Sequence, residues 1–354
     1  MQQLQQVKRK EKAMGYKGRK EGTLEQWKEL YQVASEIKEM KPWEIFSDVD
    51  LIGLKNEDED DIAFVSIMGN AGNCYGISVY EGLEGLNDFL KLLNHEELGM
   101  SPEYAMFTQT ALTCYWGDRA ELSEEQRRII RELGYKYRGK NQWLYFMSFE
   151  PGYYPYNLSQ EEVNRMTMYL THLRTALQKF RELHNQVNLG YGSMLLFEFD
   201  EDGEVLYFGE ELLPFIDFQF RMLELTDEEL IDKLSKEPRC EMVLEADIIS
   251  MGVSVRDKQF RRPANPTLCL IMEAKSNMMV KCEMPEPEED PLICMAEQLE
   301  EFILANGIPK EIRFSNVMVL AGLAHICKIC DIRLTRVENL EGIGVFKEGM
   351  EKFI

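Results

Sequence analysis

Apolar residues recur at intervals of three and four in some stretches of this chain and at alternate positions in others, and the two periods separate helices from strands. Four helix starts carry a Ser or Thr followed three residues later by Glu or Gln: Thr23 with Gln26, Ser123 with Gln126, Ser159 with Glu162, and Thr226 with Glu229. In such a box the hydroxyl accepts from an otherwise unpaired backbone N–H, and the later side chain accepts from the cap's own N–H. The first helix runs to about Met40, with Trp27, Leu30, Tyr31, Ala34 and Ile37 on one face, and Pro42 breaks it. Strand-like runs at 45–54, 62–68 and 74–80, separated by an acidic turn at 56–61 and by Gly69 to Asn73, predict an antiparallel meander. A short helix from Gly82, a strand over 106–116, the helix after Ser123 and a strand over 143–149 complete a mixed α/β unit.

The helix after Ser159 is the longest. Val163, Met166, Leu170, Leu173, Leu177 and Phe180 form a heptad-like seam that His184 continues. At ~1.5 Å per residue such a helix spans about 40 Å, enough to cross a domain face or to join two domains. A hairpin follows, 194–199 and 205–208, turning at Asp200-Glu201-Asp202-Gly203. Beyond it, strands near 242–251, 267–273 and 278–283, a helix at 292–305, a strand at 311–314, a helix at 317–330 and a strand at 332–337 give the order βββαβαβ. The fold class is therefore α+β, with three parts: a basic flexible arm (1–22), an N-terminal α+β domain (23–190) and a C-terminal α+β domain (191–354). A length of 354 residues agrees with more than one core.

Charge narrows the partners. The formal net charge is −22, which speaks against bulk binding of nucleic acid or anionic lipid. The exception is the arm, where Lys8, Arg9, Lys10, Lys12, Lys17, Arg19 and Lys20 face only Glu11 and Glu21. No apolar run reaches the ~20 residues that cross a bilayer, and the first residues lack the apolar core of a secretory signal. Eight cysteines spread singly through apolar stretches fit reduced thiols, so the expected location is cytoplasmic.

Candidate chemistry is sparse. His325, Cys327 and Cys330 form His-x-Cys-x-x-Cys, but no second Cys pair completes a zinc tetrahedron, and the stretch suits an apolar helix. The run from Gly69 to Gly76 leads into a strand, whereas a phosphate cradle feeds a helix. A calcium loop counted from Asp200 would have Val205 where its turn glycine belongs. The four histidines, His95, His172, His184 and His325, sit in no nucleophile elbow or His-Glu-x-x-His. No metal site and no cofactor are expected. The densest polar and aromatic group is Trp116, Asp118, Arg119, Arg138, Asn141, Trp143 and Tyr153, with the Arg and ring content that binding hot spots favour.

Several segments, Trp43 to Asp50, Ser66 to Gly69, Tyr75 to Leu86, Arg138 to Trp143, Pro151-Gly152-Tyr153 and Arg262-Pro263 to Pro266, resemble an uncharacterised bacterial family that joins two domains of unknown function. The resemblance implies a bacterial cytoplasmic protein and assigns no activity. Residues 240–340 are similar in element order to the ribonuclease-H-like fold, whose enzymes hold metal ions on strand carboxylates; Glu245 or Asp247 would stand at the first position, but Phe314-Ser315-Asn316 offers no acid at the second. The expectation is a non-enzymatic interaction or accessory protein, binding an unknown protein or small ligand. The alternative is a degenerate or divergent ribonuclease-H-like metal-dependent nucleic-acid enzyme.

Overall fold

The computed structural model describes residues 16–56, 61–182, 189–190, 192–214 and 222–351. Helix α1 (Leu24–Met40) starts at the Thr23/Gln26 box and stops at Lys41, whose left-handed φ of 46° turns the chain into a 3-10 turn at Pro42–Glu44. Strands β1 (Ile52–Asn56), β2 (Ala63–Met68) and β3 (Gly76–Glu81) form the meander. Then come α2 (Gly82–Leu93), α3 (Pro102–Phe107), β4 (Ala111–Gly117), α4 (Glu124–Glu132), β5 (Trp143–Phe149) and α5 (Gln160–Glu182), followed by the hairpin of β6 (Ser193–Phe199) and β7 (Val205–Leu212). The first sheet has the order β5-β4-β3-β2-β1-β6-β7, and only β1 and β6 run parallel.

Alternation along these strands makes two faces. Val65, Ile67, Ile77, Val79, Leu112, Cys114, Trp116, Leu144 and Phe146 pack under α1 and α5, where the predicted seam from Val163 to Phe180 is buried. Phe64, Tyr80, Ala111 and Phe149 face the other way, against Leu86 and Phe89 of α2. Helix α5 therefore crosses one face of this sheet. Each fully buried Leu or Phe of its seam contributes about 1.5–3 kcal/mol.

The second sheet takes α6 (Glu228–Lys236), β8 (Val243–Ser250), β9 (Thr267–Glu273), β10 (Met278–Glu283), α7 (Pro291–Asn306), β11 (Glu311–Phe314), α8 (Val317–Ile329), β12 (Arg333–Arg336) and α9 (Glu341–Glu351). Its strand order is β10-β9-β8-β11-β12, antiparallel from β8 to β10 and parallel from β8 to β12. The α+β class and the βββαβαβ order hold, and no helix among the described residues is long and apolar enough to cross a membrane.

Five readings change. The hairpin β6–β7 belongs to the first sheet through the β1–β6 pairing, so a division at 190/191 cuts that sheet, and the passage between the units falls after Leu212. Residues 45–51 are not strand: Ser47 donates from N and Oγ to Asp50 Oδ2 at 2.8 and 2.7 Å, making a turn before β1. Residues 102–107 are helix, since Ser101 caps Tyr104 N and Pro102 sits in the first turn. Asp227, not Thr226, caps α6, and α9 had no cap signal of its own. Finally, the last seven residues of the supposed free arm, 16–22, are laid down as a strap. Tyr16 is buried against Tyr156, Lys17 N donates to Phe260 O, and Gln160 N donates to Lys20 O. Lys8 to Lys12, the acidic turn at 57–60 and His184 lie outside the described residues.

Candidate functional site

Strand β4 carries Trp116 into the core at 1% exposure, opposite Leu144 of β5. The turn after α1 brings Trp43 over it, with ring centroids 5.5 Å apart, and Tyr75 closes edge-on to Trp43 at 4.9 Å. The three rings wall a surface hollow of about 370 Å³, rimmed by Lys38, Lys41 and Lys140 with Asn141 and Gln142. The Trp116 backbone is satisfied, its N–H donating to Tyr75 O at 2.9 Å. Its indole Nε1 is buried and has no hydrogen-bond partner among the described residues. An orphan donor of this kind carries a desolvation penalty of about 1–3 kcal/mol.

The rim is ordered by the 139–141 turn. Gly139 (φ 92°) and Asn141 (φ 55°) take left-handed backbone, and Asn141 N donates to Asp118 Oδ1 at 2.9 Å. Lys38 Nζ donates to Gln142 Oε1 at 2.8 Å and to Asn141 O at 3.4 Å, and burial lowers its pKa against the raising field of Glu39. Lys41 pairs with Glu44 at 3.1 Å, both exposed. Lys38, Lys41 and Lys140 against Glu39 and Glu44 leave one net positive charge on the lining.

Of the residues singled out from sequence, Trp116, Asp118, Arg119, Asn141 and Trp143 come together at this end of β4 and β5. Arg119 lies 5.9 Å from the Trp143 ring centroid, and Trp143 meets Tyr137 edge-on. Arg138 is exposed on the loop before β5. Tyr153 is elsewhere. It is buried at the seam between the units, its hydroxyl donating to Glu288 Oε1 at 2.9 Å and its ring lying under Arg261. Lys38, Trp43 and Tyr75 were not anticipated as site residues, although Trp43 and Tyr75 lie in segments that carried the family resemblance.

Other candidate chemistry is spent on structure. Glu245 accepts from the backbone N–H groups of Glu341, Gly342 and Ile343 and so caps α9, at 2.9–3.2 Å. Asp247 is bound by Lys347 at 2.7 Å, and burial raises its pKa against the lowering charge of Lys347. Asn316 caps α8 through Met318 N. His325 Nδ1 accepts from Leu225 N, beside buried Cys327 and Cys330. Asp200 Oδ1 accepts from Asp202 N and Glu204 N in a hairpin turn. Among the described residues no group of three His, Cys, Asp or Glu side chains is placed to hold a metal ion.

The architecture is that of a two-sheet α+β protein with an aromatic, lysine-rimmed hollow on its first unit. Residues 27–196 match the family model described as Domain of unknown function (DUF7309), and residues 230–351 match Domain of unknown function (DUF6930). The two matches lie side by side along the chain and together cover most of it, which is consistent with a family that joins these two domains. No curated protein matches it. The boundary of the first match falls inside β6, so the matched segment omits the edge strand β7 that completes the sheet.

Proposed function

We propose that this is a non-enzymatic binding protein of the bacterial cytoplasm that receives a carboxylate group, on a small ligand or a protein partner, in the Trp116 hollow. The observation that carries the reading is the hollow walled by the rings of Trp43, Tyr75 and Trp116 with Lys38 and Lys140 on its rim; the indole N–H of Trp116, one of its wall residues, is buried and without a partner among the described residues. An indole donor and an ammonium favour an anionic acceptor, and the ring faces favour a flat apolar body behind it. Arg119 stacked on Trp143 extends the same surface. The cytoplasmic part is supported by eight free cysteines. Calorimetry with benzoate as the probe tests the reading: binding to the wild type should weaken by about tenfold in Lys140→Glu, the loss of one charge-assisted contact. No binding heat, or equal binding by both proteins, would sink it.

A second reading, the degenerate or divergent ribonuclease-H-like enzyme, is favoured by the strand order β10-β9-β8-β11-β12. Against it stand Glu245 and Asp247, both 3% exposed and bonded within the protein, and the amide of Asn316. Manganese binding that disappears in Asp247→Asn would rescue this reading; the same titration curve in both proteins would end it.

A further inference from the structure

Where the strap of residues 16–22 crosses between the units, the surface opens into a cleft of about 610 Å³. That volume lies within the roughly 300–1,000 Å³ of small-molecule sites. The cleft shares no lining residue with the Trp116 hollow. Its cations come from three separate stretches: Lys17, Arg19 and Lys20 from the strap, Arg165 from α5, and Arg261 and Arg262 from the loop between β8 and β9. Against these six stand four carboxylates, Glu81, Glu150, Glu161 and Glu162, leaving two net positive charges on a chain whose total is −22.

Three of the carboxylates are already committed. Glu162 accepts from Ser148 Oγ and Ser159 N, each at 2.6 Å, and from Arg262 at 3.0 Å. Glu81 accepts from Arg165 and from the Tyr169 hydroxyl, each at 2.7 Å. Glu150 pairs with Arg261 and with Arg262. The ammonium groups of Lys17 and Lys20, by contrast, are exposed and have no ion-pair partner among the described residues. Arg19 and Arg262 have side chains only 6% and 3% exposed and are already paired, Arg19 with Glu21 and Arg262 with Glu162, each at 3.0 Å, so they shape the wall while the two lysines carry the free charge. Helix α5 starts in the same wall and adds the positive end of its dipole. Phe149 and Leu112 supply an apolar side.

We propose that this cleft binds the phosphate group of a small phosphate ester, about the size of a mononucleotide, with Lys17 and Lys20 as its unpaired cations. A polymer would leave the cleft to run over an acidic body, so the ligand is a small molecule. The bound phosphate touches strap, first unit and second unit together, and therefore stabilises their docking by mass action.

Inorganic pyrophosphate is the probe. Calorimetry and thermal unfolding are run on the full chain and on Lys17→Glu/Lys20→Glu, whose exposed, unpaired side chains can change without loss of fold, as circular dichroism would check. The expected result is binding to the wild type with a rise in Tm, and an affinity at least about tenfold lower in the variant from the loss of two charge-assisted contacts. Absence of binding by the wild type, or an equal response from the variant, overturns the proposal. Binding of a single-stranded oligonucleotide without binding of pyrophosphate overturns it too, in favour of a polymer site.

Discussion

Gly152 shows how little room the seam between the units leaves. Its φ is 79°, and a Cβ there would stand 2.0 Å from the carbonyl oxygen of Pro287. The neighbouring backbone is bonded across the seam, Tyr154 N to Pro263 O at 2.9 Å and Asn265 N to Gly152 O at 3.0 Å, so Gly152 cannot retreat from Pro287 without losing these bonds. Gly152→Ala therefore combines left-handed strain with a backbone clash, and should destabilise the protein by more than about 2 kcal/mol. Thermal unfolding measures it; an unchanged Tm would mean that the seam is looser than its geometry. Gly99, with φ 64° and a Cβ position 2.1 Å from Ser315 O, plays the same part where the first unit reaches under the second.

At the scale of elements, the start of α5 ties local chemistry to pH. Burial pushes the Glu162 carboxyl up, but the Arg262 charge and hydrogen bonds from Ser148 and Ser159 outweigh it, and the pKa ends below its usual 4.5. A carboxyl depressed in the folded state contributes stability that is complete above its unfolded pKa and is lost as pH falls through the folded one. Glu162→Gln should thus lower Tm at pH 7 and converge on the wild type in acid below the ordinary carboxylate range. A Tm deficit that stays constant with pH would contradict this. The same box was legible from sequence, as were those at Thr23 and Ser123, because a cap is made by residues three apart. What stayed hidden was non-local. Nothing in residues 193–199 announces that they lie parallel to β1, about 140 positions earlier, since register across such a gap leaves no local pattern. For the same reason sequence found Trp116, Asn141 and Trp143 but not Lys38, Trp43 and Tyr75, which reach the hollow from α1, from the turn after it and from the loop before β3. Tyr153 was grouped with Trp116 by nearness in sequence, and the fold sends it to the seam instead.

Across the whole molecule, the units interlock rather than merely touch. The chain from His95 to Thr108 leaves the first sheet and places Leu98, Met100 and Tyr104 in the core of the second. In return, the β8–β9 loop sends Arg262 into the first unit, where it donates to Ser148 O and Oγ as well as to Glu162. Burial pulls the Arg262 pKa down to about 10 against the raising charge of Glu162, so it stays charged at neutral pH. Arg262→Met leaves the buried Glu162 with only the more distant Arg19, 3.9 Å away, as counter-charge and should cost about 3 kcal/mol. The double variant Arg262→Met/Glu162→Gln should recover part of that loss, because the two side chains act as one pair. Strictly additive losses in denaturant unfolding would show that the pair is not coupled.

A carboxylate seated in the hollow walled by Trp43, Tyr75 and Trp116 would change the surroundings of the Trp116 indole N–H, which has no partner among the described residues. With the four tryptophans labelled with nitrogen-15 at the indole, proton–nitrogen spectra follow that group directly, and its resonance is assigned by its loss in Trp116→Phe. Added benzoate should move the Trp116 signal downfield in the wild type and leave it in place in Lys140→Glu at the same concentration. A Trp116 signal that does not respond in the wild type, or that moves equally in both proteins, would contradict the account.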